Sequence, residues 1–84
     1  MSTSADPGPA RPGSVLAVSV EVGEHALTVE LEDGRTISVP LAWYPRLLHG
    51  TVTERANWRL IGRGAGVHWP DLDEDISVEG LLAG

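Results

Sequence analysis

The chain has no cysteine, which excludes disulfide bonds, thiolate-ligated zinc and thiol catalysis. Lysine is missing too. The six basic residues are all arginine, Arg11, Arg35, Arg46, Arg55, Arg59 and Arg63, and against twelve acids they leave a net charge of −6. Non-specific binding to nucleic acid needs clustered cations that displace counterions from phosphate. The charge balance therefore argues against a direct nucleic-acid partner and favours a basic protein. No apolar run approaches the roughly 18 residues of a membrane span. The N-terminus lacks the basic region and apolar core of a secretory signal. Neither membrane insertion nor secretion is expected, and the cytoplasm is the default location. Phenylalanine is absent, so Trp43, Tyr44, Trp58 and Trp69 supply all the aromatic surface.

What is present fits one small domain. Eighty-four residues leave room for no more, and a hydrophobic share of 42% is normal for a globular chain. Residues 1–14 carry Pro7, Pro9 and Pro12 with Ser, Ala and Gly and have no apolar period; they are expected to be a disordered Pro/Gly-rich tail. Residues 15–84 are expected to form the single domain. Leu16, Val18, Val20 and Val22 alternate with smaller or polar residues and predict a strand with one buried face. Leu27, Val29 and Leu31 predict a second strand, and Ile37, Val39 and Leu41 a third.

Directly paired residues share a face, so parity limits the turns. A loop centred on Glu24-His25 sets Val22 opposite Leu27. A three-residue loop, Glu32-Asp33-Gly34, sets Val29 opposite Ile37 and places Gly34 at a left-handed position, where glycine costs least. Trp43–His49 predicts a short helix with Pro45 in its first turn and Gly50 after its end. Thr51 and Glu54 have capping-box spacing for a second helix. Trp58–Ile61 and Val67–Trp69 predict a second hairpin stopped by Pro70, and Ser77 is placed to cap a last helix in which Leu81 and Leu82 pack back. The expected fold is α+β: a three-stranded antiparallel meander, two short helices, a second β-hairpin and a C-terminal short helix.

Several motifs invite a chemical reading. Gly62, Gly64 and Gly66 suggest a phosphate loop, but such loops open a helix, whereas here a strand follows and no Lys-Ser/Thr pair is present. A hairpin turn explains them better. Asp71, Asp73 and Asp75 begin like an EF-hand loop, but its sixth position falls on Ile76, where Gly is needed, and its twelfth on Leu82, where Glu is needed. The plainer role of this acidic segment is to lead a helix N-terminus, where negative charge is stabilising. His68 lies beside it and supports an alternative function, a small-molecule or divalent-metal site. There is no HExxH and no nucleophile–base motif, so neither catalysis nor a cofactor is expected. Arg55, Arg59 and Arg63 could form a local basic patch. Trp43 and Tyr44 are adjacent, so at most one points fully inward; the other, with Arg46, is a candidate exposed anchor, because aromatics and arginine dominate interface hot spots.

An ordered series of motifs resembles the bacterial domain of unknown function family 2442. It runs through Leu31-Glu32-Asp33-Gly34-Arg35, Val39-Pro40-Leu41-Ala42-Trp43-Tyr44-Pro45-Arg46-Leu47 and Trp58-Arg59-Leu60-Ile61-Gly62. It continues through Gly66-Val67-His68-Trp69-Pro70 and Leu72-Asp73-Glu74-Asp75-Ile76-Ser77-Val78 to Leu81-Leu82. The resemblance implies a small α+β fold without an established catalytic activity. Some relatives carry a C-terminal helix-turn-helix domain; this chain ends at Gly84 without one, so direct DNA reading is not expected. Other relatives are encoded beside a second small protein in an arrangement like a toxin–antitoxin pair.

The expectation for function is accordingly a protein-interaction module, antitoxin-like, with a small basic protein as partner. Trp43, Tyr44 and Arg46 are its candidate anchors, and His68, Asp73, Glu74 and Asp75 complete the candidate surface. A homodimer is compatible with the same fold, since a small open sheet leaves edge strands free.

Overall fold

The computed structural model describes residues 15–83, so the predicted tail lies outside the described residues. Among the described residues, six strands form two three-stranded antiparallel sheets. The first contains β1 (Ala17–Val22), β2 (Ala26–Leu31) and β3 (Thr36–Pro40), with β2 in the middle. A 3-10 turn (Leu41–Trp43), α1 (Pro45–Leu48) and α2 (Val52–Ala56) lead to the second sheet. That sheet contains β4 (Arg59–Ile61), β5 (Gly66–Trp69) and β6 (Glu74–Ser77), with β5 in the middle, and α3 (Val78–Ala83) closes the domain. Among the described residues, no helix is long and apolar enough to cross a membrane.

Parity sets both registers of the first sheet as expected. Val22 pairs with Leu27, and Val29 pairs with Ile37. Gly34 takes φ 94° and donates to the Leu31 carbonyl, the left-handed position that the three-residue loop requires. Asp33 accepts from the backbone N–H and the Nε of Arg35; the backbone bond is the main reason its carboxyl sits below the usual range. The capping box at α2 is complete: Thr51 Oγ1 accepts from the Glu54 N–H, and Glu54 Oε1 from the Thr51 N–H. Ser77 Oγ accepts from the Gly80 N–H and so caps α3.

The structure corrects the predicted elements in five places. Val18 is exposed and Ala17 buried, because a β-bulge between Ala17 and Ser19 shifts the alternation of β1 by one residue. The helix expected over Trp43–His49 is divided, with Tyr44 at φ −128° separating the 3-10 turn from α1. The residue before a proline is pushed out of the helical region, and Tyr44 precedes Pro45. The fourth strand starts at Arg59 rather than Trp58. The acidic segment does not lead a helix; Glu74–Ser77 is a strand that turns the second hairpin into a three-stranded sheet. In α3 only Leu81 packs back, and Leu82 is exposed, as adjacent positions of a helix must diverge.

The core is drawn from both sheets. Leu27, Val29, Leu41, Leu47, Val67, Trp69 and Val78 are its most deeply buried members, and among the described residues no polar side chain is buried with them. The sheets meet at Gly64, which has φ 107°; a Cβ there would lie 2.4 Å from the Ala17 carbonyl oxygen. The Ala65 carbonyl also accepts from the Val78 N–H at 2.9 Å, tying α3 to the same turn.

Gly64→Ala adds steric overlap to left-handed strain, at about 1–3 kcal/mol for each effect. Urea unfolding followed by Trp fluorescence should show a large drop in midpoint. Gly34→Ala is the comparison. It carries left-handed strain alone, because nothing lies within 4 Å of its added Cβ, and it should lose less.

Candidate functional site

The site is built around the end of β5. Trp69 is fully buried, and its indole N–H donates to the Arg55 carbonyl at 2.9 Å. A buried indole needs such a partner, since an unpaired donor costs about 1–3 kcal/mol. Pro70 stops the strand. The Leu72 N–H then donates back to the Trp69 carbonyl at 3.2 Å, and Asp73 turns the chain at φ 52°. Aspartate tolerates this left-handed conformation better than most residues with a Cβ. The returning strand sets Glu74 opposite Trp69 and Asp75 opposite His68.

The turn is held against α1. Leu72 fills the space over Gly50, where an added Cβ would come within 2.9 Å of Leu72 Cδ1. Asn57 Nδ2 donates to Asp71 Oδ2 at 2.9 Å. Arg46 Nη1 donates to the Asp73 carbonyl and lies 3.9 Å from Asp73 Oδ2. With side chains 60% and 96% exposed, that ion pair contributes at most about 1 kcal/mol, so its value is positional. Tyr44 is half-buried, and its hydroxyl pKa is raised above 10.0, first by burial and second by the neighbouring Glu74 carboxylate. Trp43 remains 55% exposed. Of the two adjacent aromatics, Tyr44 packs against the core and Trp43 stays outside.

Strand alternation divides the seven candidate residues into two groups. Tyr44, Arg46, Asp73 and Glu74 come together, with Trp43 exposed beside them in sequence. His68 and Asp75 stand on the other face of the second sheet, where the carboxylate of Asp75 accepts from the Nδ1 of His68. That contact sets Nδ1 as the protonated nitrogen of the neutral ring. Arg59 lies opposite His68 on β4, so Arg59, His68 and Asp75 form one cross-strand row. Strand parity between Trp58–Ile61 and Val67–Trp69 is the sequence signal that could have found Arg59. Among the described residues, no hydroxyl hydrogen-bonds to His68. No group of three His, Asp or Glu side chains among them converges as a metal ion would require.

Arg55, Arg59 and Arg63 have separate settings. Arg55 donates through Nε to the Leu47 carbonyl and through Nη2 to the Leu48 carbonyl, and so satisfies the open end of α1. Arg59 is on β4, and Arg63 is in the turn before β5 at φ 60°.

The chain belongs to the family described as protein of unknown function DUF2442, whose model matches residues 17–84. A crystal structure of a protein of unknown function from Rhodospirillum rubrum ATCC 11170 is similar, with a TM-score of 0.73 and 29% identity, covering 84% of this chain and 88% of that one. No curated protein matches the chain.

The single tyrosine makes its setting measurable by ultraviolet titration. Wild-type Tyr44 should titrate above 10.0, and Glu74→Gln should lower the midpoint only partly, because burial is the larger cause. A raised folded-state pKa means that the folded chain holds its proton longer than the unfolded one. The stability contributed by Tyr44 is therefore intact below about pH 10 and falls as pH rises through the folded-state value. Denaturation midpoints at neutral and strongly alkaline pH check the sign.

Proposed function

We propose that this member of the family is a protein-interaction module, the antitoxin-like half of a two-protein system whose partner is a small basic protein. The observation that supports this reading is the exposure of Trp43, next in sequence to Tyr44 and three residues before Arg46, which meets Asp73. A chain with four aromatic residues keeps one of its three tryptophans outside a core that has little material to spare. An exposed indole close in sequence to an arginine that meets a carboxylate has the composition of an interface anchor with a charged rim. The net charge of −6 would speed encounter with a basic partner and make that encounter sensitive to salt. In this reading the role is binding, with Arg46 and Asp73 engaging one another at the surface.

A tagged chain, incubated with native extract of its host, should retain one stoichiometric small basic protein. Trp43→Ala should weaken that complex by about 2 kcal/mol or more, a factor of roughly 30, as expected for a central aromatic anchor. Converting Asp73 and Glu74 to Asn and Gln should slow association and flatten its salt dependence. Calorimetry and surface-binding kinetics with the purified partner measure both effects. Binding unchanged in both variants would remove this surface from the reading.

A further inference from the structure

The β1 edge offers a second surface, away from the acidic turn. The Gly23 N–H donates to the Ala26 carbonyl, and Val22 pairs with Leu27. In an antiparallel ladder this pattern makes Val22–Leu27 and Val20–Val29 the non-hydrogen-bonded pairs. The peptide groups of Val20 and Val22 therefore point away from β2, toward the free edge. Among the described residues, no backbone group bonds to them there.

This edge forms one wall of a groove of about 570 Å³ whose other wall is α2. Val52, Ala56 and Trp58 provide apolar surface beside Val20 and Val22, and Val52 is 81% exposed. The acids at the groove are Glu21 and Glu24. Among the described residues its one cation, Arg55, already donates to the carbonyls of Leu47 and Leu48, so the charge these residues leave to a ligand is negative. His25 also lies 3.6 Å from Glu24, with both side chains almost fully exposed.

We propose that this groove binds an extended segment of a partner protein, one that alternates basic and β-branched residues and adds to the first sheet as a fourth strand beside β1. Main-chain pairing with Val20 and Val22 would supply affinity, and alternate side chains would supply specificity. One set of side chains meets Val52 and Trp58; the basic set meets Glu21 and Glu24. Charge argues against a second copy as occupant, since each chain carries −6 and β1 itself presents Glu21. The site does not depend on the Trp43 surface.

The test uses the full chain, isotope-labelled, and a fluorescent seven-residue peptide that alternates Arg and Val. Peptide addition should shift the amides of Val20, Val22 and Val52 and the indole of Trp58. Glu21→Lys with Glu24→Lys should weaken binding at least tenfold. Changing Asp73, Glu74 and Asp75 to amides should alter it less than twofold, which separates this site from the surface proposed above. A peptide with proline at its central position should lose most of the affinity, because it cannot complete the ladder. Shifts confined to Asp73–Asp75, or equal binding by the proline peptide, would overturn the proposal. So would slow exchange of the Val20 and Val22 amides before peptide is added. If that protection is independent of concentration, another segment of this chain occupies the edge; if it grows with concentration, a second copy does.

Discussion

Much of this structure depends on the burial of one indole. Trp69 is the largest side chain that is fully enclosed, and its single polar atom is satisfied by the Arg55 carbonyl. Arg55 then turns its guanidinium to the open carbonyls of Leu47 and Leu48. One residue of β5 is thereby linked through α2 to the end of α1. In a chain of 84 residues, where the fraction of surface that can be buried is small, few other contacts could join these segments. The arginine is structural because two helices of four and five residues cannot satisfy their own ends.

The same link positions the candidate surface. With Trp69 fixed, its strand partner Glu74 is fixed as well, and the intervening loop has to close over α1. Leu72 settles over Gly50, and Asp73 meets Arg46. Weak exposed contacts therefore hold a definite geometry without contributing much energy. The strength lies in the core and the position is expressed at the rim. Trp43 follows from a different constraint. The proline after Tyr44 breaks the helix, and Tyr44 takes the inward place next to Glu74, leaving the indole outside.

Much of this was legible in the residues, and the rest was hidden for physical reasons. Parity and one glycine were enough to place Val22 opposite Leu27 and Val29 opposite Ile37, because a slip by one residue would turn a whole face outward. The capping box at Thr51 is a local pattern and needed nothing from the tertiary structure. The bulge at Val18 had no such signal. Valine suits either face of a strand, and the contact that Ala17 makes beside the shift, against Gly64, spans 47 residues. Strand β6 was obscured because Glu74-Asp75-Ile76-Ser77 has a single large apolar residue and two acids with low strand propensity. Its pairing with β5 overrides that local preference.

The division of the acidic segment between two faces follows from this missed strand. Read as a helix leader, Asp73, Glu74 and Asp75 look like one charged cluster. As a strand, Glu74 and Asp75 must point to opposite sides of the sheet. Glu74 then joins Tyr44, while Asp75 joins His68 in a row with Arg59. A mixed row of cation, imidazole and carboxylate across three strands is an internally compensated surface. Elsewhere Asp73 is met by Arg46, whereas Glu74 lies beside the half-buried Tyr44, and Glu21 and Glu24 stand beside the β1 edge. The two surfaces proposed above as recognition sites differ in this respect: at the turn an arginine already meets a carboxylate, and at the β1 edge the acids stand beside exposed apolar groups.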